Sequence, residues 1–95
     1  MYAAQEKYFR ETVIPKYADK YSIPVESLSL NGFSKMKSKK LSDRYEVLIG
    51  CIKYPTGKMP IVVTTTYGLS WETALDIVGA VAFEAIKGNK NDREV

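Results

Sequence analysis

Few side chains in this chain can do chemistry, and the most versatile one is missing. None of the 95 residues is histidine. That removes the commonest general base and the commonest metal ligand, and with them serine-histidine and cysteine-histidine mechanisms and most zinc sites. Cysteine occurs once, as Cys51, inside the apolar run from Tyr45 to Tyr54. It cannot form an internal disulfide, and a strand interior is neither exposed nor electropositive, as a nucleophilic thiol requires. Cys51 therefore reads as core, in keeping with a reducing compartment. Glu72 and Asp76 stand four apart on one helical face. Without a histidine or a third carboxylate nearby, they read as compensation of a helix dipole and not as a metal or acid/base pair. Trp71 either plugs the end of the core or offers a stacking surface to a base.

The remaining concentration of chemistry is cationic. Lys35, Lys37, Lys39, Lys40 and Arg44 lie between Phe33 and Arg44 against a single acid, Asp43. Such a segment is either a phosphate-contacting arm or a solvated connection. As an arm, each phosphate contact would add about one unit to the salt slope of binding. No constellation supports a reaction mechanism, so no catalytic residue, metal or cofactor is assigned, and a binding module is expected instead of an enzyme.

The totals agree with a small globular protein. The length suits one domain, the composition is 45% hydrophobic and 26% charged, and the formal charge is +3. That balance permits nucleic-acid binding without demanding it. No window approaches eighteen apolar residues and the N-terminus lacks a signal-peptide pattern, so no membrane association and an intracellular location, cytoplasmic or nuclear, are expected.

The elements that must position these residues follow from periodicity. The clearest is Gly68 to Gly88, a helix with Ser70 as its cap, Glu72 and Asp76 near its positive end and Gly88 as a left-handed stop. Its spacing puts Trp71, Ala74, Leu75, Val78, Val81, Ala82, Ala85 and Ile86 on the core side. Phe83 falls on the polar side, as an interface residue or as one buried beneath the N-terminal segment. An earlier helix starts at Ala3 with Tyr2, Phe9, Val13, Tyr17 and Tyr21 on one stripe. Pro15 either kinks it or divides it near Val13. Ile23-Pro24 ends it. Val25 to Leu30 reads as a strand closed by an Asn31-Gly32 turn, followed by strands Tyr45 to Tyr54 and Ile61 to Tyr67 around the turn Pro55-Thr56-Gly57-Lys58.

The expected fold is α+β, in the order α-β-β-β-α: a three-stranded antiparallel sheet with two helices packed on one face, plus an N-terminal helical extension. Residues 1–13 form the extension, 14–88 the domain and 89–95 a disordered tail. With Leu28, Leu30, Val47, Ile49, Cys51, Ile61 and Val63 facing the helices, Leu48, Ile52 and Val62 are left on the second face. That face is more apolar than a solvated sheet needs, which marks Leu48, Ile52 and Val62, with Phe83, as candidate interface residues.

Two stretches carry a family resemblance. Pro15-Lys16-Tyr17-Ala18-Asp19-Lys20-Tyr21-Ser22-Ile23-Pro24 is similar to the first helix of the double-stranded-RNA-binding domain and its exit into strand one. Tyr67-Gly68-Leu69-Ser70, followed by Ala74, Gly79, Ala80 and Ala82, resembles the start of its second helix. The resemblance covers about Ile14 to Gly88. It implies shape-directed binding of double-stranded RNA, partly through the loop between strands one and two, which here is the lysine-rich one. The family's lysine cluster after that serine is replaced by Trp71, Glu72, Thr73, Ala74 and Leu75. Two functions are therefore expected in parallel: RNA binding through Lys35, Lys37, Lys39, Lys40 and Arg44, or a protein-interaction or dimerisation module that has kept the fold without the RNA clamp.

Overall fold

Pro15 decides how the N-terminal helix is built. A proline inside a helix lacks the amide that would bond backwards, and its ring collides with the carbonyl four residues earlier. In the computed structural model, which describes residues 2–36, 46–65 and 68–92, the chain resolves this conflict without breaking. Helix α1 (Ala3–Tyr8) runs into a wider π-helical turn (Phe9–Val13), and this leads directly into α2 (Ile14–Lys20), where Pro15 occupies the first turn. The Ile14 amide bonds to the Phe9 carbonyl, five residues back. A π turn of this kind shifts the helix register, and Phe9 and Val13 are completely buried along with Ile14, Tyr17 and Ala18. Residues 2–13 are thus built into the domain. The helix passes through Val13 without interruption and places two of its largest anchors in the core.

Helix α2 ends at a left-handed residue, Ser22, with φ of 56°. The Ile23 amide reaches back to the Ala18 carbonyl at 2.8 Å, the six-to-one bond of a Schellman stop. After Pro24 the expected strand is shorter than its pattern. Val25–Ser27 forms a 3-10 turn, closed by the Ser27 hydroxyl donating to the Pro24 carbonyl at 2.6 Å. Extended structure begins only at β1 (Ser29–Leu30).

The sheet is antiparallel, with four strands: β1, β2 (Ser34–Lys35), β3 (Val47–Tyr54) and β4 (Gly57–Thr64). Because β4 pairs with β3 from Tyr54↔Gly57 to Val47↔Thr64, β1 and β2 share the opposite edge of β3. Between Leu30↔Ile52 and Ser34↔Ile49, three residues (Asn31, Gly32, Phe33) stand against two (Gly50, Cys51). The strand expected to end at Leu30 therefore continues past a bulge into Ser34–Lys35, inside the segment read as a basic loop, and Asn31-Gly32 is that bulge and not a reversal. Gly32 takes φ of 103°, a conformation that favours glycine.

Side chains from α1 and the π turn secure the bulge. Glu6 Oε2 accepts from the Phe33 amide at 3.1 Å, Arg10 Nη2 donates to the Leu30 carbonyl at 2.9 Å, and Arg10 pairs with Glu6 at 3.2 Å. Asn31 completes it, its Oδ1 accepting from the Cys51 amide at 2.9 Å. The Phe33 ring turns under Gly50, where a Cβ would lie 2.8 Å from Phe33 Cδ1, and meets Phe9 edge-on with centroids 5.8 Å apart.

These contacts set the phase of the sheet opposite to expectation on β3. Leu48, Gly50 and Ile52 face the helices, paired with Val63, Ile61 and Met59, while Ile49 and Cys51 face outward opposite Val62 and Pro60. The Gly50 gap is the reason, since it admits Phe33 on the helix side. On β4, Ile61 and Val63 point inward as the pattern requires.

Helix α3 (Trp71–Asp92) closes the core. Ser70 caps it as its position predicts, with Oγ accepting from the Thr73 amide at 3.2 Å. Gly88 does not stop it. The helix continues to Asp92, and the positive-φ glycines among the described residues are Gly32 and Gly68. The expected tail thus begins as helix, and residues 93–95 lie outside the described ones. The buried stripe is also rotated. Leu75, Ala82, Phe83 and Ile86 are buried and Val81 is exposed, because α2 crosses α3 at Gly79, where a Cβ would overlap Val13 Cγ1. Tyr17 lies over Phe83 with ring centroids 5.9 Å apart.

Candidate interaction surface

Of the cationic cluster, Lys35 lies in β2 and is exposed. Lys37, Lys39, Lys40 and Arg44 fall outside the described residues. At the other expected contact region, Glu72 is exposed and Asp76 turns toward α2. Asp76 accepts from Lys16 Nζ at 3.0 Å and from the Tyr17 hydroxyl at 3.2 Å. The hydrogen bond to Asp76, reinforced by its charge, holds the Lys16 ammonium above its usual value. Burial first, and the same carboxylate second, push the Tyr17 phenol up. Asp76 therefore ties two helices together, and its spacing from Glu72 does not make an acid pair. No group of three metal-ligating side chains occurs among the described residues. Trp71 is half-buried against the core.

Three of the four candidate interface residues prove to be core. Leu48, Ile52 and Phe83 are all completely buried. The reversed phase of β3 draws in the first two, and the rotation of α3 beneath Tyr17 draws in the third. Val62 alone keeps its expected exposure, at 53%. The second sheet face is apolar as expected, but through other residues: Ile49, part-exposed Cys51 and Pro60 beside Val62.

Apolar surface continues from this face around β4 to α3. A groove of about 230 Å³ lies between β4 and α3, lined by Met59, Pro60, Ile61, Val62, Ile77, Val78, Val81, Ala82 and Ala85. Ile77 and Val81 flank it at 49% and 64% exposure. A second, more open depression of about 490 Å³ reaches from Pro60 and Val62 across Ile49 and Cys51 to the Asn31-Gly32 bulge. The two share Pro60, Ile61 and Val62, so one apolar surface wraps the outer edge of β4. Among the described residues that edge pairs with no strand other than β3.

Pro60 shapes this edge. It lies opposite Cys51, whose amide and carbonyl bond to Asn31 on the far side of β3. The Cys51–Pro60 pair is consequently a non-hydrogen-bonded one, and the position without an amide faces away from β3, at the outer edge of β4. Periodicity put Val81 and Ile49 on the core side and the tertiary contacts turn both outward, while it assigned Ile77 to neither side. The readable signal was Gly79, a glycine inside a buried helix, which marks a close approach by a neighbour.

No protein-family model matches the chain, and no curated protein or solved structure is significantly similar to it. Among the described residues, no helix is long and apolar enough to cross a membrane.

Proposed function

We propose that the chain is a small non-catalytic binding module whose apolar β4–α3 face docks a protein surface. The observation that carries this reading is the cluster of Val62, Ile77 and Val81, exposed by 53%, 49% and 64% around a groove with wholly apolar side chains. Single exposed apolar residues are ordinary on a monomer, but a contiguous group around a groove marks a contact site. Glu72 at the start of α3 supports a protein partner over a phosphate backbone, since it stands where the RNA-binding pattern has lysine.

Binding of an apolar fluorescent dye to the native protein tests the face directly. Val81→Glu should abolish that binding with the melting temperature unchanged; full dye binding by this variant would refute the assignment. A second reading, binding of double-stranded RNA, is favoured by the five cations between Lys35 and Arg44 and by the exposure of Lys35. Binding to a duplex of about twenty base pairs should then fall steeply with salt and weaken on replacing Lys35, Lys37, Lys39 and Lys40 with alanine. Unchanged affinity in that variant would remove the cluster from consideration.

A further inference from the structure

We infer that Asn31-Gly32 is a site of self-modification: the Gly32 amide nitrogen attacks the Asn31 side-chain amide, and the clamp of Glu6 and Arg10 on the bulge sets how fast. Of the three asparagines, Asn31, Asn89 and Asn91, only the first precedes a glycine. Glycine matters because no Cβ crowds the approach of its nitrogen to the neighbouring carbonyl carbon. Two further requirements are met at the bulge. Asn31 is exposed and lines the depression of about 490 Å³, so water reaches it. The Gly32 amide, which must lose its proton before it attacks, has no hydrogen-bond partner among the described residues.

The chemistry needs no reagent but water. The deprotonated Gly32 nitrogen forms a bond to Asn31 Cγ, and the side-chain nitrogen leaves as ammonia, closing a succinimide ring. Water then opens the ring at either of its carbonyls. Opening at Cγ breaks the new bond and gives aspartate. Opening at the main-chain carbonyl breaks the original peptide bond and gives isoaspartate, in which the backbone runs through Cβ and Cγ. Nothing is oxidised or reduced.

The fold controls access to this reaction. To bring Cγ onto the Gly32 nitrogen, the peptide between Asn31 and Gly32 must turn, and it is held on both sides. Asn31 donates its amide to the Cys51 carbonyl at 3.1 Å and accepts from the Cys51 amide through Oδ1 at 2.9 Å. Glu6 accepts from the Phe33 amide, and Arg10 donates to the Leu30 carbonyl. Ring closure therefore proceeds from a locally opened bulge, at the intrinsic rate scaled by the opening equilibrium. The clamping side chains, Glu6 at 24% and Arg10 at 46% exposure, lie at the surface side of the domain, so the bulge opens without unfolding the core.

The two products differ in what they leave behind. Aspartate keeps an acceptor for the Cys51 amide, but sets a second carboxylate near that of Glu6, which stands 3.5 Å from the place a Gly32 Cβ would take. It also adds a negative charge to the lining of the depression. Isoaspartate lengthens the backbone inside the bulge, so the pairings Leu30↔Ile52 and Ser34↔Ile49 no longer fit together and β2 loses its register on β3.

Incubation of the full chain at mildly alkaline pH, native and in urea, tests the inference, read by peptide mapping for aspartate and isoaspartate at position 31. That position should be modified in both samples, more slowly in the native one. Glu6→Ala should speed the native reaction at least about fivefold, the factor by which one lost hydrogen bond shifts an opening equilibrium, and leave the rate in urea unchanged. Glu6→Gln, which keeps an acceptor for the Phe33 amide, should stay within about twofold of the parent. Arg10→Ala leaves the Phe33 contact in place and should accelerate the native reaction by a smaller factor; it decides the matter if circular dichroism shows Glu6→Ala to be unfolded. An Asn31 that stays intact in the native protein, under conditions that convert the urea sample, overturns the site. Native rates unchanged in the folded variants overturn the control by the clamp.

Discussion

The crossing of α2 over α3 can be tested by making the same substitution at two glycines of one helix. Gly79 and Gly88 both lie within α3, so alanine at either gains about 1 kcal/mol of helix propensity in the interior and somewhat less near the end. Their surroundings differ. At Gly88 no atom lies within 4 Å of the new methyl, whereas at Gly79 it would overlap Val13 Cγ1 and stand 3.3 Å from the Tyr17 ring. Val13 cannot step aside, because it is completely buried and a β-branched side chain in a helix has one strongly preferred rotamer. The overlap must be relieved by lifting α2, at the upper end of the overpacking range, about 3 kcal/mol. Gly79→Ala should then lose a net ~2 kcal/mol and Gly88→Ala should gain ~0.5 kcal/mol or more. In a domain of this size each kcal/mol moves the melting temperature by about 4–8 °C. Urea unfolding followed by circular dichroism reads the difference, with unchanged m-values as the check that the same surface is being exposed. Val13→Ala supplies the third leg. Alone it should cost about 2 kcal/mol for the cavity it leaves, but in the Gly79→Ala background it should cost little, a coupling of ~2 kcal/mol. Equal stabilities for the two glycine variants, or additive behaviour of the pair, would refute the crossing. It would also remove the reason why Ile77 and Val81 face outward.

Two further predictions concern the polar ties. Glu6→Ala should cost about 1–3 kcal/mol, because it strips the acceptor from the Phe33 amide at the bulge. Glu6→Gln keeps an acceptor and should cost less, and amide exchange at Phe33 should accelerate only in the alanine variant. The second prediction is a decline in stability at high pH. Lys16 and Tyr17 are both raised in the folded protein, chiefly by the Asp76 hydrogen bond in the first case and by burial in the second. A raised folded value means that the stabilisation is complete below the unfolded value, near pH 10, and is lost as pH climbs through the folded one. Unfolding midpoints should therefore hold up to about pH 10 and decline above it. Asp76→Ala removes the acceptor that is the main cause for Lys16 and the second cause for Tyr17, so its decline should be shallower. An identical decline would show that the Asp76 contacts are not responsible.

Elements whose signals are local were legible in the sequence. Ser70 could be read as a cap because capping needs only its own hydroxyl and the next turn. Pro55-Thr56-Gly57-Lys58 signalled the turn between two antiparallel strands, but the structure confines it to Pro55 and Thr56 and starts β4 at Gly57 instead of Ile61. The order α-β-β-β-α and the placement of helices against one sheet face follow from burying apolar stripes. The Asn31-Gly32 pair signals a change of direction correctly, but whether it is a reversal or a bulge depends on Glu6 and Arg10, more than twenty residues earlier. Pro15 likewise announces a conflict without stating its resolution. A kink, a break and a π turn all relieve the same clash, and burial of Phe9 beside Phe33 favours the last.

The candidate site was hidden by a question of phase, which periodicity alone leaves open. A strand with apolar residues on both faces, such as Val47 to Ile52, supports either assignment equally well, and the choice between Leu48 and Ile49 turns on Gly50. Gly50 leaves a gap on one face, and the Phe33 ring fills it. That puts Leu48 and Ile52 on the ring's side and Ile49 and Val62 on the other. Helix α3 obeys the same logic. Its small residues Ala74, Gly79, Ala82 and Ala85 announce a close approach without saying on which side. Gly79 is the one with no Cβ at all, so the tightest crossing belongs there and Phe83, one turn on, belongs beneath it. Val81 is two residues from Gly79, about 200° around the helix. With α2 fixed at Gly79, that side chain turns toward the groove beside β4 and toward solvent.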